Sequence, residues 1–69
     1  MATGTVKWFN PTKGYGFITP KDGSKDVFVH MSAVEQAGLR ALYENDCVQY
    51  DLVAGNSGKM AAGNLVKVD

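Results

Sequence analysis

Two short runs carry aromatic rings at alternate positions: Lys13-Gly14-Tyr15-Gly16-Phe17-Ile18 and Val27-Phe28-Val29-His30. Each has the length of one strand. A strand alternates its side chains between two faces. That period puts Tyr15 and Phe17 on one face with Ile18 on the other, and Phe28 and His30 on one face with Val27 and Val29 on the other. Each strand therefore offers an aliphatic face suited to a core and an aromatic face with few apolar partners left to cover it. Lys7 and Lys13 lie close by in sequence, as does Trp8. Uncovered rings beside lysines suit stacking on unpaired bases, because every base has a π-face and every nucleotide a phosphate.

Other chemistries fit less well. The same rings could form a buried aromatic cluster, and Trp8 could anchor a core, since tryptophan is usually well buried. Against this, Lys7 and Asn10 flank Trp8, and Val6, Ile18, Val27, Val29, Val48, Leu52 and Leu65 supply aliphatic volume for so small a chain. The chain has one histidine and one cysteine, too few for a metal site built on those ligands. His30 has no nucleophile at a recognisable spacing, and there is no Gly-x-x-x-x-Gly-Lys-[Ser/Thr] phosphate loop. No enzyme activity, metal or cofactor is expected. His30 reads instead as a flat ring with a polar edge. Lys7 and Lys13 read as phosphate contacts, whereas Arg40 and Lys59 stand open between contact and solvated surface. Asp26 is the odd member, a carboxylate beside the rings. It either accepts from a base edge or fixes its turn through Lys25 or Ser24. Gly14 and Gly16 serve turn geometry and strand twist as readily as close approach of a ligand.

At 69 residues the chain is expected to form one domain, residues 1–69. Such a domain buries only about 60% of its unfolded surface. Five of its seven Phe, Trp and Tyr residues precede residue 30, so the front half does more than pack. Acidic and basic residues balance at seven each, but unevenly. Residues 1–30 have Lys7, Lys13, Lys21 and Lys25 against Asp22 and Asp26, while 31–69 have Arg40, Lys59 and Lys67 against five carboxylates. A strong grip on duplex DNA is not expected; a locally positive strand surface is. The single Cys47 makes no internal disulfide. No apolar run approaches the ~20 residues of a membrane span, and the N-terminus lacks a signal-peptide core. A cytoplasmic protein with no membrane partner and no small-molecule substrate is expected, a monomer with a weak dimer as the alternative.

Residues 4–10 are rich in strand formers. Strict alternation there would pair Val6 with Trp8 and Lys7 with Phe9, so a β-bulge near Trp8-Phe9 is expected to turn both rings to one side. Asn10 to Gly14 is a turn, and the second strand runs from Tyr15 to Thr19. Pro20-Lys21-Asp22-Gly23-Ser24 is the clearest turn in the chain. A third strand from Asp26 to His30 completes an antiparallel meander. Ser32 with Glu35 three residues on matches a capping box, and Gly38 stops the helix after one turn. Residues 39–46 form a long loop with Asn45-Asp46 as its exit. Cys47–Val53 alternates as a half-buried strand with Val48, Tyr50 and Leu52 inward. Residues 54–58 make a flexible turn, and Met60–Val68 is the last strand, with Gly63 at a bulge or close contact. The fold expected is all-β: a five-stranded antiparallel barrel with one short helical turn.

Three stretches, Gly4-Thr5-Val6-Lys7-Trp8-Phe9-Asn10, Lys13 to Ile18, and Asp26-Val27-Phe28-Val29-His30, resemble the bacterial cold shock proteins, single-domain relatives of the Y-box proteins. The second and third are similar to that family's two ribonucleoprotein motifs, and the resemblance covers essentially the whole chain. It implies an OB-fold barrel that binds single-stranded RNA and single-stranded DNA. It also implies an RNA chaperone with roles in antitermination or translation. Carried over by position, its nucleic-acid face falls on Lys7, Trp8, Phe9, Asn10, Lys13, Tyr15, Phe17, Asp26, Phe28 and His30, with Met31 and Leu39 at one end. Met31 and Leu39 replace frequent aromatics, and Tyr15 replaces a Phe. The rival reading is a small β-barrel that docks proline-rich peptides on exposed rings.

Overall fold

The computed structural model describes residues 2–54 and 60–68. The expected turn over 54–58, beyond Ala54, and Lys59 lie outside the described residues. Five strands form: β1 (Ala2–Asn10), β2 (Tyr15–Pro20), β3 (Val27–His30), β4 (Cys47–Ala54) and β5 (Met60–Val68), with one helix, α1 (Met31–Gln36), after β3. They close into a barrel in the order β1-β2-β3-β5-β4. Antiparallel pairing holds along β1–β2, β2–β3, β4–β5 and β1–β4. The β3–β5 seam is parallel and pairs at Phe28 and Ala61. A closed ring with an odd number of strands cannot alternate direction all the way round, so one parallel seam is a geometric necessity of closure.

β1 starts two residues earlier than its composition predicts, because Ala2 and Thr3 pair with Tyr50 and Gln49 of β4 while the rest of the strand pairs with β2. The expected bulge is present, with a different result for the rings. The β1–β2 register slips between Val6 and Trp8, leaving Lys7 outside the ladder. One extra residue reverses the phase of everything after it. Val6 therefore points inward, Trp8 outward and Phe9 inward again, where it packs on the core. Trp8 and Phe9 do not share a face. Gly16, opposite Phe9 in the ladder, makes room for this. A Cβ at position 16 would come within 2.7 Å of the Phe9 ring and clash with the backbone of Trp8, so this close approach admits only glycine.

The core forms from Val6, Ile18, Val27, Val29, Val48, Tyr50 and Leu65, as the sequence predicts, together with Ala62, Val34 and Leu42. Leu52 does not join it and is 51% exposed. Here β4 runs beyond the layer that the barrel interior can fill. Its place is taken by Val34 of α1 and Leu42 of the 39–46 loop, both buried. That loop is thus partly a plug. Its exit turn forms at Tyr43–Asp46 with Asn45 left-handed (φ 71°), and the Asn45 N–H donates to the carbonyl of Val6. In β5 the extra residue is Asn64 (φ 49°), next to Gly63, and its amide donates to Asp51 at 3.0 Å.

The helix starts earlier than the capping-box pattern indicates. Its N-cap is His30, whose Nδ1 accepts from the Ser32 N–H at 3.1 Å. The imidazole reaches this donor because His30 ends β3 in extended geometry (φ −97°, ψ 150°). Ser32 lies inside the helix, its hydroxyl 3.0 Å from the same ring nitrogen. Gly38 ends the helix as expected, left-handed at φ 78°. Its N–H donates to the Glu35 carbonyl and that of Leu39 to the Val34 carbonyl, the two bonds of a Schellman motif.

Candidate functional site

The outer face of β1, β2 and β3 presents a continuous array of rings. Trp8 lies edge-on to Tyr15 and Phe17, with centroids 5.6 and 5.3 Å apart. Phe17 meets Phe28 edge-on at 5.8 Å, Tyr15 stacks on Phe28 at 5.7 Å, and Phe28 lies 6.4 Å from the imidazole of His30. Edge-to-face contacts at these distances are favourable for aromatic pairs, and each leaves part of a ring face toward solvent. Tyr15, Phe17 and Phe28 are half-buried, His30 is exposed, and Trp8 is 38% exposed. The array is neither a closed cluster nor a set of loose side chains. Ladder pairing holds it: Tyr15 faces His30 and Phe17 faces Phe28 across β2–β3, and Trp8 faces Phe17 across β1–β2.

The remaining predicted residues distribute around this platform. Phe9 lies behind it, in the space over Gly16. Asn10 closes the turn after β1: its Oδ1 accepts from the N–H of Thr12 and of Lys13, at 3.0 and 3.1 Å. That bond holds Lys13 exposed at the rim, and Gly14, left-handed at φ 83°, returns the chain to β2. Met31 and Leu39 are half-buried and pack against the core. Met31 begins α1 beside His30, and its N–H donates to the carbonyl of Gly14.

The charged groups are arranged unevenly. Lys7 Nζ pairs with Asp26 Oδ2 at 3.0 Å, and Asp26 Oδ1 lies 3.4 Å from the Thr19 hydroxyl. Neither of the two turn interactions expected for Asp26, with Lys25 or Ser24, is the one it makes. Ser24 bonds Asp22 instead, through its hydroxyl and its N–H. These bonds hold the Asp22 carboxyl below the usual carboxylate range. Burial, and secondarily Asp22, pushes the Tyr50 phenol up. Among the described residues no group of three or more His, Cys, Asp or Glu side chains converges on a metal position, and no helix is long and apolar enough to cross a membrane.

An open cleft of about 1010 Å³ adjoins the platform and shares Phe17 and Phe28 with it. Leu52 and Met60 border the cleft beside Lys21 and Lys25. Sequence reasoning placed Leu52 inside and gave Met60 no role. Their position at the two strand ends that flank residues 55–59 was the available signal, since strand ends project past a barrel's filled layers.

The chain matches the family described as the 'Cold-shock' DNA-binding domain over residues 2–68. It is 67% identical over 66 residues to the probable cold shock protein y4cH of Sinorhizobium fredii, covering 94% of this chain and 96% of that one. It is 62% identical to the cold shock protein CspA of Rhizobium meliloti over the same shares. To the major cold shock protein of Micrococcus luteus it is 54% identical over 99% of this chain and 100% of that one.

Proposed function

Because this chain belongs to the cold-shock domain family, we propose that it binds single-stranded RNA and DNA by stacking unpaired bases on the Trp8, Tyr15, Phe17, Phe28 and His30 platform. The observation that carries this reading is the array of half-open rings lying over a core that is already complete without them. Lys7 and Lys13 meet phosphates, and Asn10 sets the turn that presents Lys13. Phe9 supports the platform from behind.

Stacking is worth about 1–3 kcal/mol per base and tolerates any base. Four of these rings, Trp8, Phe17, Phe28 and His30, each taking one base, supply about 4–12 kcal/mol gross on that scale, reduced by the cost of ordering a flexible strand. The net corresponds to micromolar to high-nanomolar binding, about 8–9.5 kcal/mol. The protein acts without ATP, in the cytoplasm and as a monomer. It traps strands as they open. Ligand at 100 times its dissociation constant shifts an opening equilibrium by about 2.7 kcal/mol. That melts marginal RNA hairpins and spares stable ones, the action of an RNA chaperone. By the same action it would influence transcription antitermination or translation when cold stabilises RNA structure.

The test is the fluorescence of Trp8, the one tryptophan, during titration with oligothymidine at two salt concentrations. Saturable quenching is expected. With two or three phosphate contacts, the slope of log affinity against log salt is about −1.4 to −2.1. An unquenched, blue-shifted Trp8 overturns the reading. Binding of a proline-rich peptide that oligothymidine fails to displace would favour the peptide-docking alternative.

Met31 and Leu39 give a second expected result. At the His30 end of the platform they cover a base edge but stack less well than rings. Replacing both with Phe should tighten oligothymidine binding by about threefold to tenfold, part of the stacking energy of one base. Equal affinity in the double variant, measured by calorimetry, would show that no base sits there.

A further inference from the structure

We infer that Asp26 is a specificity residue: by occupying Lys7 in the free protein, it suppresses binding to polyanions that offer phosphate or sulfate but no bases. This rests on the reading of the platform as a single-strand site.

Three observations meet at this pair. The bulge in β1 lifts Lys7 out of the β-ladder, so its side chain is free to reach along the platform rim. It reaches a carboxylate 19 residues away, Nζ to Oδ2 at 3.0 Å. Both partners keep contact with solvent, with side chains 57% and 34% exposed. The pair is therefore exchangeable, and its worth to folding is small. Asp26 also sits one residue before β3, two from Phe28 and across from Thr19, at the platform edge.

The consequence is an exchange, not a gain. A phosphate that approaches Lys7 must displace Asp26, trading one anion for another and leaving a carboxylate near its own negative charge. A ligand that also stacks bases on Phe17 and Phe28 recovers that loss; a bare polyanion does not. Without the pair, Lys7 would stand as an unneutralised cation at the platform edge. Generic polyanions would then compete with single strands.

The experiment compares four proteins, Asp26→Asn, Asp22→Asn, Lys7→Gln and Lys7→Gln with Asp26→Asn, against the unaltered chain. The probes are heparin, which has no bases, and oligothymidine. Asp22→Asn changes net charge by the same amount as Asp26→Asn, but its carboxylate is engaged by Ser24 and frees no lysine. Asp26→Asn should tighten heparin binding at low salt by roughly threefold to tenfold, through the one lysine it frees. Asp22→Asn should change heparin binding less than about twofold, as expected for an exposed charge screened by salt. Lys7→Gln alone should barely alter heparin binding, and in the Asp26→Asn background it should return heparin binding to the starting value. Equal effects of Asp26→Asn and Asp22→Asn would overturn the proposal, leaving only net charge. So would a large loss of heparin binding in Lys7→Gln alone. Failure of the unaltered chain to bind oligothymidine saturably would instead refute the single-strand reading, while the heparin series still tests the Lys7–Asp26 pair.

Discussion

Phe17→Ala should lose binding while keeping its fold. Phe17 lies at the centre of the platform, touching Trp8, Tyr15 and Phe28 at 5.3, 6.5 and 5.8 Å. Its ring is half-buried on the outer face, and no core residue depends on it to close the barrel. Truncation removes one stacking surface, worth about 1–3 kcal/mol, or roughly fivefold to 150-fold in affinity. It also removes the edge contact that sets the tilt of Trp8, so the upper part of that range is expected. Calorimetric titration with oligothymidine measures the loss, and a thermal melt by circular dichroism measures the fold. Unchanged affinity with a collapsed melting temperature would mean that the rings are core and that nucleic acid binds elsewhere.

Ile18→Ala should do the reverse. The neighbouring side chain on β2 points the opposite way and is fully buried among the core residues of the barrel. Removing a buried isoleucine down to Cβ costs about 2–5 kcal/mol, because the cavity that remains is only partly filled by relaxation. A chain of this length has about 3–10 kcal/mol of stability in all. A fall in melting temperature of about 10 °C or more is therefore expected, and the variant is unfolded in part at room temperature if the larger cost applies. Any protein that remains folded should bind oligothymidine with near-normal affinity once the folded fraction is taken into account. A folded fraction that binds weakly would show that the platform geometry depends on the packing beneath it. Two adjacent residues thus separate the fold from the proposed site. The separation exists because one strand serves two surfaces.

That division of labour carries a cost in stability. Rings held open on one face of the sheet contribute less to stability than the same rings buried would. The barrel compensates with a dense aliphatic interior and with Val34 and Leu42, which cap it from α1 and the 39–46 loop. Those two residues have no alternation to announce them. Val34 sits in a helix of six residues, and Leu42 in a segment without regular structure. Their inward position follows from how the chain after β3 folds back over the barrel end.

What the chain determined by itself is local. The period-two division of β2 and β3 into aromatic and aliphatic faces was legible, because side-chain alternation needs only the backbone of one strand. So were the Asp22-Gly23 turn, the Gly38 helix stop and the exit turn at Asn45-Asp46, since each rests on the conformational preferences of one or two residues. The tertiary structure decided what depends on pairing over long distances. The slip at Lys7 sends Trp8 and Phe9 to opposite faces, and only the register against β2 sets where that slip falls. His30 caps α1 because β3 ends where its ring can meet the Ser32 N–H. Leu52 is exposed because barrel closure, not alternation, sets how far along β4 the interior extends. The Lys7–Asp26 pair joins residues that no local pattern connects. Alternation tells which way a side chain points within its own strand. Which strand lies beside it, at what register, and what stands on the far side are settled only when the ring of strands closes.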